Sequence, residues 1–468
     1  MEDNTLFKLQ PFENEILREY DIRGIVNKNL NDNTAYTIGR TFGSIVYKKE
    51  KNKKVVVGYD GRLTSPKLHD ALCKGLIDSG IHLTSIGLCP TPLVYFATYH
   101  LNMDAGIMIT GSHNPPEYNG FKMVLNNKPF YSKQILELQK IVEQENLKIQ
   151  KGTFFKKDIL EEYVSRVLKN IIFKKRLKVA WDPGNGSVGV TISRVLKKLE
   201  NIENIIINEK VDGTFPNHHP DPIVPKNLIQ LKDLVLKNNC DVGIAFDGDG
   251  DRLGIVDNKG NIVWADQYMI ILANEISKNY KSPYIVMDVK SSKVFFTEVK
   301  KIGCLPVMYK TGHSIIKDKM QELNSPLSGE MSGHIMYKDD FYGYDDALYV
   351  ALRFLRILSN KEEKLSEIIK KYPVTYSTPE TRFDVDESRK FKIVEEIKQR
   401  LSKENLEIIS IDGVRVENDS GWWLIRASNT QNALTVRAES TSEKFLMEMT
   451  KIIEKELEKS GVKFKFSL

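Results

Sequence analysis

Three aspartates alternate with two glycines in "FDGDGDRLG", a segment that lies between two apolar runs. Asp247, Asp249 and Asp251 would repel one another if they packed together as carboxylates, so the arrangement is costly unless a cation neutralises it. The glycines let the backbone curl until the side chains converge. Oxygen ligands of this kind suit Mg²⁺ or Ca²⁺, and the adjacent Arg252 would complement an anion bound at the same place.

The alternatives to a magnesium site are an EF-hand calcium loop and an exposed acidic turn. An EF-hand calcium loop begins similarly, but it needs glycine at its sixth position and glutamate at its twelfth. Arg252 and Asn258 occupy those positions, and the flanking runs are strand-like. The other alternative is an exposed acidic turn without a ligand. Mg²⁺ fits better, because it usually keeps coordination positions for water and a substrate phosphate.

A serine lies within the turn-forming sequence "TGSHNP", residues 110–115. Gly, Ser, Asn and Pro are turn formers for ordinary backbone reasons, so these six residues alone favour a polar turn. Ser112 could instead be a nucleophile that is exposed on a stiff turn. Lys122, in "EYNGFK", follows ten residues later and could fold back over the same place.

Three further polar loops, "KTGHS", "SGEMSGH" and "RASNT", carry side chains with complementary chemistry. An arginine among short polar side chains can bind a phosphate, whereas Glu and Ser between glycines can bind neighbouring hydroxyls. His and Lys can stabilise charge or transfer protons. Each loop could equally be an ordinary turn or helix cap. The candidate residues are His313, Glu330, Ser332, His334, Arg426, Ser428, Asn429 and Thr430.

Repeated units of strand, loop and helix must position these loops. "KKVVVGYDGR" is typical of a buried strand and precedes the helical "SPKLHDALCKGLIDSG". "LKVAWDPGNGSVGVTISRVLKKLE" and "SPYIVMDVKSSKVFFTEVKKIG" repeat this order. The pattern predicts parallel sheets with crossover helices in three related α/β domains.

The C-terminal part has a different pattern, and "KKYPVTYSTPETRF" marks a boundary near residue 372. A helical stretch and the strand-like "SGWWLIRASNTQNALTVRAES" follow. The last predicted helix places Leu446, Met449, Ile453 and Leu457 on one face. We therefore expect a small α+β domain at this end.

The overall composition is that of a globular protein of several domains. The chain of 468 residues exceeds one hydrophobic core, and apolar residues make up 41% of it. The net charge of +6 comes from interspersed lysines and glutamates, which excludes a nucleic-acid-binding tract. No apolar run approaches about 18 residues, and we expect neither a signal peptide nor a membrane span. The four cysteines form no CxxC pair, which favours reduced thiols in the cytoplasm.

Seven motifs in order carry a resemblance to a known family: "EYDIRG", "TGSHNP", "NGFK", "DGDGDR", "KTGH", "GEMSGH" and "RASNT". Together they resemble the α-D-phosphohexomutase family, in particular its bacterial phosphomannomutase/phosphoglucomutase branch. The resemblance extends from Glu19 to about Glu439. It implies an α/β, four-domain architecture around a central cleft: three related α/β domains with mixed sheets and a C-terminal α+β domain. The implied boundaries are 1–156 for the phosphoserine loop, 157–260 for the metal loop, 261–371 for the sugar loop and 372–468 for the phosphate loop.

The resemblance also implies roles for individual residues. Ser112 matches the serine that carries the phosphoryl group and, together with Asp247, Asp249 and Asp251, the metal-binding set. Glu330 and Ser332 match the loop that binds sugar hydroxyls. The phosphate clamp corresponds to Arg426, Ser428, Asn429 and Thr430. Residues lining the reacting centre correspond to Lys122, Arg252, His313 and His334, and further cleft positions to Tyr20, Arg23 and Lys290.

Two departures from the family pattern leave these residues untouched. Asn432 stands two residues after "SNT", where the family often has proline, an exchange that alters the stiffness of that loop. The turn "GYDGR" lacks the arginine that many relatives have before the aspartate, but it retains Arg62.

The implied activity is reversible phosphoryl transfer between C1 and C6 of mannose or glucose phosphates. The expected route uses a phosphoserine enzyme and a hexose 1,6-bisphosphate intermediate, with Mg²⁺ as cofactor. A phosphoglucosamine mutase, a Mg²⁺-dependent sugar phosphatase and a non-catalytic phosphosugar sensor are the alternatives. We expect a cytoplasmic monomer or weak dimer whose partner is a phosphosugar, with no nucleic-acid or membrane partner.

Overall fold

The computed structural model describes residues 7–144, 147, 149–428 and 432–466. The chain forms two compact units. The first unit contains Met1–Leu272 and Ser332–Ser366, and the second contains Ala273–Met331 and Glu367–Leu468. Among the helices of the described ranges, none combines the length and the apolar character that crossing a membrane requires.

The first sheet of the first unit mixes parallel and antiparallel strands. Its order is β1-β5-β4-β2-β3-β7, with β6 paired to β5. Strands β4, β2, β3 and β7 are parallel, whereas β5 runs antiparallel to β1 and β4. The strands are β1 (Ile22–Ile25), β2 (Lys54–Tyr59), β3 (His82–Leu88), β4 (Ala105–Ile109), β5 (Tyr118–Leu125), β6 (Lys128–Pro129) and β7 (Thr153–Lys156). The helices are α1 (Asp32–Lys49), α2 (Ser65–Ile77), α3 (Thr91–His100) and α4 (Lys133–Glu143).

Helices α1 and α2 approach each other closely through two glycines. A Cβ at Gly39 would lie 2.4 Å from the carbonyl oxygen of Leu72, and a Cβ at Gly75 would lie 2.3 Å from that of Tyr36. The helices can therefore pack backbone against backbone beside the apolar core of the first sheet.

The second sheet of this unit has the order β12-β11-β10-β8-β9. β8, β9 and β10 are parallel, and β10 and β11 form an antiparallel hairpin in which Phe246 pairs with Leu253. The strands are β8 (Leu177–Asp182), β9 (Ile202–Ile206), β10 (Val242–Phe246), β11 (Leu253–Asp257) and β12 (Ile262–Val263). The helices are α5 (Leu160–Leu168), α6 (Gly189–Leu196), α7 (Ile229–Asn238) and α8 (Ala265–Ile276), and short 3₁₀ turns lie at Asn14–Ile16 and Pro225–Leu228.

The second unit begins with a parallel group of strands in the order β14-β13-β15. These are β13 (Tyr284–Asp288), β14 (Leu305–Tyr309) and β15 (Leu327–Gly329), with helices α9 (Lys293–Lys301) and α10 (His313–Glu322). The first unit resumes with β16 (Ile335–Tyr337) and α11 (Ala347–Ser359). The chain re-enters the second unit within helix α12 (Leu365–Ile369), between Ser366 and Glu367.

An antiparallel sheet completes the second unit, in the order β17-β22-β21-β20-β19 with β18 beside β22. The predicted apolar face of the last helix is confirmed, because Leu446, Met449, Ile453 and Leu457 are all buried. The strands are β17 (Tyr376–Ser377), β18 (Thr381–Asp384), β19 (Glu407–Ile409), β20 (Val414–Asn418), β21 (Gly421–Ala427) and β22 (Ala433–Ser440). The helices are α13 (Lys390–Leu401) and α14 (Glu443–Lys459).

The predicted α/β class with mixed sheets and a C-terminal α+β part is confirmed. The parallel strands predicted from the strand–helix repeats are present in three groups, β2-β3-β4, β8-β9-β10 and β13-β14-β15, and the strands β5 and β11 add antiparallel pairing. Each of these strands follows its predecessor after a short loop, and a parallel crossover needs a dozen or more residues. The four cysteines are buried free thiols, as expected.

A buried carboxyl group at the start of α11 makes stability depend on pH. Asp346 caps this helix by accepting the N–H of Tyr349 at 3.0 Å, and it also accepts the hydroxyl of Tyr163 at 3.0 Å. Burial raises the pKa of Asp346 to about 7. At pH values between the pKa of Asp346 in the unfolded chain and about 7, the folded protein holds a proton that the unfolded chain does not. The contribution of Asp346 to stability is therefore present at low pH and is lost as pH rises through about 7.

The variant Asp346→Asn keeps the acceptor and cannot ionise. We expect the stability of the wild type relative to this variant to fall by about 2 kcal/mol between about pH 5 and pH 7. Denaturant unfolding of both proteins at several pH values measures the difference. Parallel stability curves would contradict the assignment.

Candidate functional site

Ser112 lies in a tightly held turn that follows β4. Its φ of 49° is unusual for a residue other than glycine. The N–H of Ser112 donates to Thr110 Oγ1 at 2.7 Å, and Thr110 Oγ1 donates to Asp60 Oδ2 at 2.8 Å. Asp60 also accepts the N–H of Gly111 at 3.1 Å. The side chain of Asp60 thus fixes the backbone conformation that orients the serine.

Arg62 holds the other side of this turn and is only 1% exposed. It donates to Asp60 Oδ2 at 3.1 Å, and a Cβ at Gly111 would lie 2.3 Å from its Cζ, so only glycine fits there. The remaining donors span the turn at 2.6–3.0 Å, to the carbonyl oxygens of Ser112, Asn114, Pro115 and Tyr118. The expectation of an exposed serine is wrong: Ser112 is 2% exposed, because its backbone and hydroxyl are both bonded.

Arg23, on β1, is also brought to the serine turn. It donates to the carbonyl oxygen of Gly111 at 2.5 Å and to Asn114 Oδ1 at 2.6 Å, and it pairs with Asp21. Tyr20 lies two residues before β1 and is partly buried.

The three aspartates occupy the turn of the β10–β11 hairpin, and each is fully buried. Their carboxylate oxygens lie within 4.8 Å of one another. Asp247 Oδ1 accepts the backbone N–H groups of Gly250, Asp251 and Arg252 at 3.0–3.1 Å. Its other oxygen accepts the Ser112 hydroxyl at 3.0 Å. The predicted nucleophile and the predicted cation loop are therefore in direct contact.

Lys122, on β5, is buried among these carboxylates. Its ammonium group donates to Asp249 Oδ2 at 2.7 Å and to Asp251 Oδ2 at 2.5 Å. Burial lowers the pKa of Lys122, but the two aspartates more than offset this and hold it well above the usual range. Burial, followed by Asp249 and Asp251, raises the pKa of Asp247. One ammonium group thus leaves part of the negative charge uncompensated.

The aspartate cluster fits a hard divalent cation. Asp249 Oδ1 and Asp251 Oδ1 are buried, and neither accepts a hydrogen bond from any described residue. Converging carboxylate oxygens with unused lone pairs suit Mg²⁺. Strands on both sides of the turn exclude the helix-flanked EF-hand, as the sequence predicted.

Ser187, in the segment "DPGNGSVG", donates hydrogen bonds to the backbone of the aspartate turn. Ser187 donates to the carbonyl oxygen of Gly248 through its N–H at 2.9 Å and its hydroxyl at 3.1 Å. A Cβ at Gly248 would lie 2.5 Å from the carbonyl oxygen of Ser112. The aspartate turn and the serine turn therefore touch through their backbones, which requires glycine at this position.

Arg252 and His334 form a pair beside the cluster. Arg252 Nε donates to His334 Nε2 at 2.9 Å, and His334 Nδ1 lies 3.0 Å from Asp345 Oδ2. Since Nε2 accepts a hydrogen bond, the neutral ring carries its proton on Nδ1. Ser332 is buried two residues before His334, in the same unit.

Another group of predicted residues lies in the second unit. Glu330 accepts the N–H of Gly312 at 2.6 Å, directly before His313, the first residue of α10. Asp288, at the end of β13, accepts the N–H of Met331 at 3.0 Å. The loops that follow β13, β14 and β15 are therefore fastened to one another.

Arg426 and Lys290 each pair with a carboxylate of the second unit. Arg426 Nε donates to Asp412 Oδ2 at 3.1 Å, and the same oxygen accepts the N–H of Thr311 at 3.0 Å. Lys290 Nζ donates to Glu380 Oε2 at 2.9 Å. Burial raises the pKa of Glu380, but Lys290 and Arg382 outweigh it and hold the pKa well below the usual range.

The phosphate-clamp prediction is only partly described by the structure. Ser428 is buried, and its N–H donates to the carbonyl oxygen of Ala433 at 2.9 Å. Asn429 and Thr430 lie outside the described residues.

Sequence reasoning missed the aspartates that hold the loops. Asp60, Asp288 and Asp412 were not singled out, although Asp60 directly follows a buried strand and Asp288 ends one. A carboxylate at the carboxyl end of a strand was the available signal. For Asp412 the sequence signal was weaker, because it is only an aspartate that precedes a glycine in a turn.

A serine hydroxyl in contact with a carboxylate cluster that fits a divalent cation is an arrangement that phosphoryl transfer can use. Comparison with known proteins identifies the family. Four domain descriptions of phosphoglucomutase/phosphomannomutase match this chain: alpha/beta/alpha domain I over residues 14–148, domain II over 161–260, domain III over 264–376 and the C-terminal domain over 380–456. The chain belongs to the phosphoglucomutase/phosphomannomutase family and is a mutase.

Individual relatives are similar over nearly the whole chain. The phosphomannomutase/phosphoglucomutase of Pseudomonas syringae pv. tomato is 41% identical over 445 residues, which covers 95% of each chain. A phosphoglucomutase of Neisseria meningitidis is 40% identical over 433 residues, covering 92% of this chain and 94% of that one. A crystal structure of a phosphoglucomutase/phosphomannomutase family protein from Burkholderia thailandensis is 37% identical with a TM-score of 0.90, covering 96% of this chain and 98% of that chain.

The geometry around Arg62 predicts a positioning role. Arg62→Lys keeps the positive charge but cannot bond to four carbonyl oxygens, so the serine turn loosens. We expect kcat to fall by at least about tenfold with KM within about threefold of wild type, because reacting groups are misplaced while substrate contacts remain.

The matched control is Arg176→Lys, an exposed arginine whose replacement should leave both constants unchanged. Steady-state kinetics and thermal unfolding of both variants separate positioning from loss of fold. A normal kcat in Arg62→Lys would contradict the role.

Proposed function

We propose that Ser112 carries the phosphoryl group and that this mutase moves phosphate between C1 and C6 of a hexose phosphate. The observation that supports this most is the 3.0 Å contact between the Ser112 hydroxyl and Asp247, inside a cluster that fits a divalent cation. Phospho-Ser112 gives its phosphoryl group to the free hydroxyl of a hexose 1- or 6-phosphate. The resulting 1,6-bisphosphate reorients, and its other phosphate returns to Ser112.

The groups around Ser112 serve this transfer mainly through charge and position. Asp247, Asp249 and Asp251 would hold Mg²⁺, which when bound supplies positive charge for the oxygens of the transferring group. Lys122 and Arg252 add fixed positive charge at the same place. His334, neutral with its proton on Nδ1, orients Arg252 by accepting from its Nε.

We assign substrate binding to the remaining predicted residues. Glu330 and Ser332 bind two neighbouring sugar hydroxyls, and Lys290, Tyr20 and Arg23 contact the substrate. His313 belongs with the catalytic groups at the reacting centre. Arg426 and Ser428, with Asn429 and Thr430, clamp the phosphate that is not reacting. The salt bridge from Arg426 to Asp412 supports this role, because it holds the guanidinium in a fixed orientation.

Mannose and glucose phosphates are the proposed substrates, because hydroxyl contacts from a Glu–Ser pair would not distinguish them at C2. We further propose Mg²⁺ as the cation, hexose 1,6-bisphosphate as activator, a cytoplasmic location and a monomer or weak dimer. Domain boundaries near residues 156, 260 and 371 belong to the same proposal, with a hinge at 370–374.

The covalent route predicts a specific loss in Ser112→Ala. Turnover should disappear and no label should transfer from glucose 1,6-bisphosphate that is radiolabelled in phosphate, since the acceptor oxygen is gone. The unfolding free energy should change by only about 1 kcal/mol, as for one lost hydrogen bond. Ser193→Ala, outside the site, is the matched control. Retained turnover or retained labelling in Ser112→Ala would refute the route.

The metal assignment predicts stabilisation by Mg²⁺ alone. A Mg²⁺ concentration of about 100 times Kd should stabilise the wild type by about 2.7 kcal/mol. Asp249→Asn should lose this stabilisation, whereas the exposed Asp233→Asn should keep it. Thermal unfolding with and without a chelator makes the measurement. Equal Mg²⁺ stabilisation of Asp249→Asn would place the ion elsewhere.

A substrate panel distinguishes the alternatives. Glucose 1-, mannose 1- and glucosamine 1-phosphate are supplied separately with Mg²⁺ and a trace of bisphosphate, and kcat/KM is compared. We expect the first two to exceed the third, because relatives at about 40% identity are named phosphomannomutase/phosphoglucomutase and phosphoglucomutase. A preference for glucosamine 1-phosphate would favour the glucosamine mutase, and release of free phosphate would favour a phosphatase.

A further inference from the structure

A cavity lies in the first unit, where the parallel strands β2, β3 and β7 end. Its volume is about 640 Å³, within the usual range for small-molecule sites. Ligands of α/β sheets bind at the carboxyl ends of the parallel strands. Ser112 follows β4, which is separated from β3 by β2 in the same sheet, and none of the proposed catalytic residues lines this cavity.

The lining combines an apolar wall with a polar floor. Ile86, Leu88 and Leu93 form part of the wall. On the floor, His69 Nε2 lies 2.8 Å from Ser85 Oγ. Burial lowers the pKa of His69, so the ring is neutral near pH 7. A weakly polar ring matches this wall better than a hydroxyl-rich sugar does.

The rim carries charges of both signs, from Asp70, Asp158, Lys156, Lys157 and Arg194. Asp158 Oδ1 caps the N–H of Leu160 at 2.9 Å, and Arg194 pairs with Glu161 at 3.0 Å. Asp70 lies 3.1 Å from His69 Nδ1. Lys156 and Lys157 also line the cavity, and neither forms a salt bridge with a carboxylate of the described residues. A lysine ammonium group at the rim can pair with a phosphate monoester.

We propose that this cavity binds a nucleoside 5′-monophosphate as an effector. The phosphate lies between Lys156 and Lys157, and the base lies on the wall formed by Leu88 and Leu93. The two lysines supply the charge and the wall supplies the apolar contact that inorganic phosphate alone would not use.

Three lining residues connect this cavity to the groups that hold the reactive turns. Tyr59 directly precedes Asp60, which fixes the serine turn. Leu93 follows Thr91, whose hydroxyl donates to Asp249 at 2.5 Å.

Val190, also in the lining, follows Ser187, which donates to the carbonyl oxygen of Gly248. A ligand that shifts the ends of β2, α3 or α6 therefore changes the support of both turns. Binding at this cavity should consequently change turnover as well as stability.

Calorimetric titration with AMP, GMP, CMP and UMP, each in turn, tests the proposal on the full-length enzyme. We expect at least one nucleotide to bind with Kd below about 1 mM and to change kcat several-fold. Lys156→Ala/Lys157→Ala should weaken that binding by at least about tenfold and keep basal turnover within about twofold. Lys48→Ala/Lys49→Ala, an exposed lysine pair on α1, should bind as the wild type does.

Competition locates the binding. Saturating glucose 1,6-bisphosphate should leave nucleotide binding in place, and Ser112→Ala should bind the nucleotide normally, so the test stands even where the proposed catalytic route fails. Displacement by the bisphosphate, equal affinity for inorganic phosphate, unchanged binding in Lys156→Ala/Lys157→Ala, binding without a change in kcat, or no binding by any nucleotide would each overturn the proposal.

Discussion

The electrostatic constraint at the β10–β11 turn determines much of the first unit. Three carboxylates without solvent exposure face a single ammonium group, so backbone donors stabilise them and a divalent cation would supply further positive charge. Asp247 takes three backbone N–H groups on one oxygen and the serine hydroxyl on the other. The turn therefore cannot change shape without disturbing the hydrogen bond to the Ser112 hydroxyl.

The second unit uses carboxylates for a different purpose. Asp288, Glu330 and Asp412 each accept a backbone N–H from a neighbouring loop, which ties together segments that are far apart in sequence. These bonds stabilise loop positions rather than charge on a reacting group. Loops that follow different strands can keep a common geometry because each acceptor spans two of them.

Much of this organisation could be predicted from sequence, but the supporting contacts could not. The alternation of Asp and Gly between apolar runs predicted a turn between strands, and the spacing of apolar residues predicted the buried face of α14. The strand–helix repeats did not predict the antiparallel pairing of β5 and β11, although the short loops that precede these strands exclude a parallel crossover. Arg62 bonds four carbonyl oxygens that come together only after the turn folds, so no local pattern reveals its role. The burial of Ser112 was missed for the same reason.

The left-handed backbone at Ser112 restricts which amino acid can occupy this position. A φ of 49° is tolerated by small, unbranched side chains, whereas a β-branched residue is strongly disfavoured there. Threonine offers the same hydroxyl chemistry and would nonetheless be a poor replacement at this position. Main-chain geometry therefore favours a primary over a secondary alcohol at this position.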